Sequence, residues 1–246
     1  LCGSILEPVQ ALGLEYDFYP VDEALIGHPD PKKNDAVLLV HYFGRINPAV
    51  QSLRSGSGNT HYLIEDACQA LLSDLPNAGN DEIFYILSPR KFGPVPLGGW
   101  CNVSIDDSAA SSDVLQSADR SLVARGVKAV YLADAEGGVE SETEAFYLEA
   151  FERVESSLSS LDTSTLPDWI LRLIAGIDWE AAGDARVRNQ NFLSSELEPQ
   201  IAFPIREFGP KEVPLGQPIV VGDRDKLRQS LAAHRIFCPI HWRLPD

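Results

Sequence analysis

"AVLLVHYFGRINPAVQSLRSGSGNTHYLIEDAC", residues 36–68, is the stretch on which the fold class turns. It opens with "AVLLVHYF" (36–43), a nearly continuous apolar run of the kind that marks a strand buried on both faces. "NPAVQSLRS" (47–55) then reads as a short helix, and "THYLIEDAC" (60–68) as a second buried strand ending in two acids. Strand, helix and strand at this pitch predict an α/β architecture with a mostly parallel sheet.

Working outward, "EIFYILS" (82–88) and "GWCNVSI" (99–105) predict a third and a fourth strand. On the other side, "SILEPVQAL" (4–12) reads as a helix ended by Gly13, and the alternating "LEYDFYPVD" (14–22) as a strand. The second half differs. "SSDVLQSADRSLVARG" (111–126) and "ESETEAFYLEAFERVESSLSSL" (140–161) predict helices, the latter with an apolar face of Ala145, Leu148, Phe151, Val154 and Leu158. Helical character continues over 165–197 with breaks at Pro167 and Gly176, and 217–242 reads as strand, helix, strand. A boundary near residue 165 is expected, with a large α/β domain over 1–165 and a smaller α/β domain over 166–246.

Composition narrows the function. The 246 residues carry a net charge of −16, which argues against nucleic acid because phosphate binding needs a basic stripe. At 44% hydrophobic and 23% charged the chain has ordinary globular composition. No apolar run reaches the roughly 18 residues of a membrane span, and no segment has a signal-peptide layout. The four cysteines lie far apart without CxxC spacing, so neither a zinc site nor a disulfide framework is expected, and a reducing cytoplasm fits. There is no methionine, even at position 1. The expectation is of further residues at the ends, or of selenomethionines omitted, in which case some spacings are short by one.

In parallel α/β sheets ligand chemistry collects at the carboxyl ends of the strands, where His41, Glu65-Asp66 and Ser88 to Lys91 all fall. Asp66 ends a buried strand and needs a cation or donors; alone, it reads as the N-cap of a following helix. Lys91 alone reads as a surface lysine. Its setting, "SPRKFGPVPLGGW" (88–100), is unusual, because a lysine sits between a strand end and a stiff Pro/Gly loop. Pyridoxal phosphate enzymes need a lysine to hold the cofactor and an acid to keep the pyridine nitrogen protonated. A carboxylate and a lysine on successive strand ends could meet across one ring.

These residues also resemble a family. "YLIEDACQALLS" (62–73) is similar to the "IEDAAQALGA" segment of the DegT/DnrJ/EryC1/StrS sugar aminotransferases, within the fold type I, aspartate-aminotransferase superfamily. "SPRKFGPVPLGGW" resembles the lysine loop of one branch of that group. "LCGSILEPVQALGLEYDFYPVD" (1–22) looks like its earlier helix–strand unit, and "HRIFCPIHW" (234–242) like its small-domain strand ending in His-Trp or His-Tyr. The resemblance implies pyridoxal 5'-phosphate as cofactor, a homodimer with shared active sites, and transfer of an amino group from glutamate to a nucleotide-linked keto sugar. It implies Lys91 as the Schiff-base lysine, Asp66 as the pyridine-nitrogen acid, and Gln69, one helical turn on, as a cofactor contact. Ser88 is implied as a phosphate contact, although the family's commonest pattern has its serine where Ile86 stands, and His241 as a substrate contact. His41 either faces the ring or is a core histidine. Arg90 either binds phosphate or a substrate carboxylate, or forms a structural ion pair. The family's N-terminal phosphate-binding turn and its continuation past the His-Trp strand are not in this sequence. A non-catalytic relative of the same fold, acting as a scaffold or regulator, is the alternative.

Overall fold

The computed structural model describes residues 3–32, 35–55, 62–75, 83–103, 111–134, 141–157, 165–197, 207–234 and 236–238. The elements run α1 (Gly3–Ala11), β1 (Ala36–Val40), α2 (Ala49–Ser55), β2 (Tyr62–Asp66), β3 (Ile83–Leu87), β4 (Trp100–Cys101), α3 (Ser112–Ala133), α4 (Ser141–Ser157), α5 (Asp168–Ala175), α6 (Trp179–Glu196) and α7 (Arg224–Ala233). The chain forms two compact units. One comprises Tyr19–Val114 and Ser164–Val220, the other Leu1–Phe18, Leu115–Thr163 and Val221–Asp246.

The first unit is mixed α/β around an open four-stranded sheet in the order β1-β2-β3-β4. β1, β2 and β3 are parallel, with Val40 opposite Asp66 and Asp66 opposite Ile86; β4 is antiparallel to β3. Side chains alternate between sheet faces, so one face carries Val37, Leu39, Leu63 and Ile83, which α2 covers with Val50 and Leu53 to make the core. Tyr19, Ile46, Ala49 and Tyr85 pack around it. Glu65 follows Leu63 on this covered face, and Asp66 therefore points to the other.

Between β1 and α2 the chain makes a tight 3-10 turn, Tyr42–Gly44, in which Phe43 takes a left-handed conformation (φ 55°) and Gly44 a φ of 94°. Gly44 is required here, since a Cβ would lie 2.0 Å from the Val213 carbonyl oxygen. The distant segment 207–215 seals this turn. The Leu215 N–H donates to the Phe43 carbonyl at 3.0 Å, and the Ile46 N–H to Glu212 at 2.7 Å. The Ser73 hydroxyl donates to the Gly44 carbonyl at 2.6 Å while accepting the Val213 N–H at 3.0 Å.

Several expected elements come out differently. Residues 14–22 form no strand; the segment makes a single antiparallel bridge, Val21 to Gly27, and Leu14, Tyr16 and Phe18 are exposed. Alternation alone does not make a strand where a single bridge is all the pairing found among the described residues. Of the expected strand over 99–105, Trp100–Cys101 forms a strand, residues 104 and 105 lie outside the described residues, and at Asn102 the side chain takes the place of a ladder. Its amide donates to the Ile83 carbonyl at 2.9 Å and its oxygen accepts the Tyr85 N–H at 2.7 Å. No strand flanks α7 among the described residues.

In the second unit α4 buries Tyr147 and Ala150 against Ala124 of α3, with Val127, Tyr131 and Phe151 packed around them. Val154 is also buried, whereas Leu148 is exposed. The buried stripe is thus Tyr147, Ala150 and Val154, rotated from the expected face because the small Ala124 gives the Tyr147 ring a place. Leu158 lies outside the described residues. α7 starts at an N-cap, with Asp223 accepting the Lys226 N–H at 2.9 Å.

Candidate functional site

Asp66 is the last residue of β2, buried to 8% exposure. One carboxylate oxygen accepts the Cys68 N–H at 2.9 Å, a local turn of the kind Asp side chains favour. This replaces the expected helix cap. Residues 67–73 form successive turns, closed by Ala70 N–H to Ala67 at 2.8 Å and Ser73 N–H to Ala70 at 3.0 Å, and not a helix. The Asp66 backbone carbonyl accepts the His41 N–H at 3.0 Å, which ties the ends of β1 and β2 together.

On the next parallel strand, β3, the chain leaves Leu87 through buried Ser88 into a 3-10 turn, Pro89–Lys91. The loop after it is anchored: Phe92, Val95, Pro96 and Leu97 are buried, as expected for a stiff brace. Gly98 (φ 115°) is needed because a Cβ would meet Leu166 at 2.7 Å. Arg90 is half-buried and Lys91 exposed. The loop therefore fixes the main chain at Lys91 and leaves its amine in the open, rather than partly burying it.

Cys68 reports on how these groups gather. Burial first, then the charge of Asp66 and a hydrogen bond to it, push the Cys68 thiol up to about 12, while Lys91 and Arg90 pull it down. Burial, then Asp66, also raises the Tyr42 phenol; burial, then Tyr42, pushes Tyr19 up to about 12, with a smaller push from Asp66. The geometry places Asp66 opposite Ile86 of β3, the Cys68 thiol 3.8 Å from the Ile86 carbonyl, and Arg90 and Lys91 in the turn that follows β3. The candidate site at these strand ends is Asp66, Cys68, Arg90 and Lys91, with Tyr42 just past the end of β1. Cys68 and Tyr42 escaped the sequence reading, although each stands within two residues of a strand end already singled out. Among the described residues neither Asp66 nor Lys91 has an ion-pair partner.

His41 and Gln69 are spent elsewhere. His41 is fully buried; its Nδ1 accepts the Asn47 N–H at 3.0 Å, so Nε2 carries the proton and donates to Glu65 at 2.9 Å. Of its two readings, the geometry supports the core histidine. Glu65, fully buried on the covered face, also accepts from Arg54 Nε at 2.9 Å, and Arg54 reaches the Tyr85 hydroxyl as well. Gln69 lies in the turns after β2, where the expected helix does not form. Its Oε1 accepts the Phe43 N–H at 2.9 Å and holds the left-handed turn. Gln69→Ala is expected to remove this buried bond and destabilise the protein by about 1 kcal/mol or more. A urea midpoint equal to that of wild type would show that the bond contributes nothing. His241 lies outside the described residues.

No group of three or more His, Cys, Asp or Glu side chains able to hold a metal ion occurs among the described residues. Cys68, Cys101 and Cys238 are free thiols. No helix of the described residues is long and apolar enough to cross a membrane. A cleft of about 350 Å³ between residues 26–29 and α2 is lined by Ile26, Pro29, Pro48, Ala49 and Leu53, away from Asp66 and Lys91. Comparison with family models gives no match, and comparison with curated proteins gives none either.

Proposed function

We propose that the chain is a pyridoxal-phosphate-dependent aminotransferase of the DegT/DnrJ/EryC1/StrS type, with the fold type I architecture that this implies. The observation that carries the reading is a buried carboxylate, Asp66, and an exposed amine, Lys91, at the ends of adjacent parallel strands, neither with an ion-pair partner among the described residues. A buried carboxylate is costly unless a cation or donors meet it; the Cys68 N–H meets one Asp66 oxygen, and a protonated pyridine nitrogen would be a charged donor to the carboxylate as well. The residues thus fit the cofactor: Asp66 would hold the ring nitrogen, Lys91 would hold the aldehyde carbon covalently, and Ser88 would reach the phosphate. When bound, the cofactor supplies an electron sink for the bond-breaking at the substrate carbon. Arg90, half-buried beside Lys91, is the candidate for an anionic substrate group, with His241 as a second contact. Glutamate as donor, a nucleotide-linked keto sugar as acceptor and a homodimer sharing its active sites belong to the same reading.

A second reading, a non-catalytic relative, draws support from the exposure of Lys91 and from Gln69 being committed to Phe43. One experiment separates the two. Pyridoxal phosphate is added to the protein, sodium borohydride follows, and the peptides are mapped by mass spectrometry. The lysine amine and the aldehyde lose water to form a C=N bond, which hydride reduces to a stable amine. The aminotransferase reading expects that mass on Lys91 and an absorbance band near the visible edge before reduction. Absence of both at saturating pyridoxal phosphate leaves the scaffold reading standing.

A further inference from the structure

The Lys91 turn is held from the far end of its unit by one side chain, Arg186 in the second turn of α6. Its Nη2 donates to the carbonyls of Lys91 at 3.3 Å and Phe92 at 3.4 Å, and its Nη1 to the carbonyl of Leu215 at 2.8 Å. The guanidinium carbon also lies 4.8 Å from the centre of the buried Phe92 ring. The end of a helical turn leaves carbonyls without partners in the turn itself, and a guanidinium, with five donors in a rigid plane, can serve several at once. The two bonds to the turn are long and individually weak; held by one planar group that is fixed on Leu215 and stacked on Phe92, they act together. Gly93 completes the arrangement, because a Cβ there would press on Trp179 at 3.1 Å and Ile177 at 3.2 Å.

We propose that Arg186 is a positioning residue for Lys91: its guanidinium clamps the main chain of the Pro89–Lys91 turn and so sets where the lysine amine can reach. The inference rests on the aminotransferase reading for what the amine does, but the clamp is a property of the turn and is measurable without a cofactor. The Lys91 side chain is exposed and makes no ion pair among the described residues, so the held backbone fixes the point from which the amine reaches.

The test compares Arg186→Met, which keeps the stem and removes the donors, and Arg186→Lys, which keeps the charge and loses the fork. Two readouts are taken on the whole chain. The first is hydrogen exchange at the Lys91, Phe92 and Gly93 amides, which bond to Ser88 and Pro89. The second is the rate and pH profile of borohydride-trapped attachment of pyridoxal phosphate to Lys91. Arg186→Met is expected to speed exchange at the three amides about tenfold with β1, β2 and β3 unchanged, and to slow attachment by about tenfold or more. Arg186→Lys should recover only part of both. Wild-type exchange and a wild-type attachment profile in folded Arg186→Met would overturn the proposal. If that variant does not fold, Arg186→Lys carries the same two readouts. No attachment in wild type would sink the aminotransferase reading, and exchange would still decide whether Arg186 holds the turn.

Discussion

Lys91→Ala is expected to lose all borohydride-trapped attachment of pyridoxal phosphate and all transamination, whereas Arg90→Ala keeps the attachment and loses rate or affinity. The two cations are adjacent in one 3-10 turn, yet only the lysine amine can form the C=N bond, because a guanidinium stays protonated at any working pH. The loss should be chemical and not a matter of folding. Lys91 is exposed and makes no ion pair among the described residues, so its truncation should leave stability within about 0.5 kcal/mol of wild type. A thermal melt measured beside the trapping assay makes the separation. If Lys91→Ala still trapped the cofactor on a single other lysine, the reading of the "SPRKFGPVPLGGW" loop would be wrong.

Glu65→Ala is expected to be the most damaging change to stability, about 3–5 kcal/mol. The carboxylate is fully buried and is shared by Arg54 and His41, so its removal takes from both side chains the acceptor they share, while Arg54 keeps its bond to the Tyr85 hydroxyl. Against a total stability on the order of 5–15 kcal/mol, that could leave little folded protein at 37 °C. The loss belongs to the broken pair more than to the residue. Glu65→Leu combined with Arg54→Leu should therefore cost clearly less than the two single changes added together. Urea unfolding of the four proteins in that cycle checks it. Additive losses, or a Glu65→Ala penalty below about 1 kcal/mol, would mean that the network is not coupled.

These two residues mark where the sequence was legible and where it was not. β1, β2 and β3 could be read because each carries a short apolar run bounded by polar residues, a local signal that needs no knowledge of partners, although Tyr62 and Ile86 leave the sheet partly exposed. Asp66 and Lys91 could be read because residue type and strand-end position coincide. Glu65, one residue away, looked like half of an acidic pair. Its partners lie 11 and 24 residues distant, and only the sheet's pairing puts it on the covered face with Arg54 and His41. Arg186, 95 residues from Lys91, gives no local signal at all. The failures are of the same kind. Residues 14–22 alternate but make only one bridge among the described residues, Val21 to Gly27, and Gln69 was expected on a helix that the turns after Asp66 replace. Periodicity reports what a segment can bury; it does not say which segment will cover it.

The bond between Ser73 and Val213 joins residues 140 apart in the chain. Closing a flexible loop of that length costs about 4 kcal/mol of chain entropy, before any contact repays it. While the protein is being made, the sheet and the Lys91 turn emerge first, but the Phe43–Gly44 turn has no seal until residues 207–215 leave the ribosome. Long-range closure of this kind slows folding relative to local contacts. The nascent chain thus carries its candidate chemical groups, Asp66 and Lys91, well before it carries the residues that seal the neighbouring turn, so the strand ends are made early and braced late.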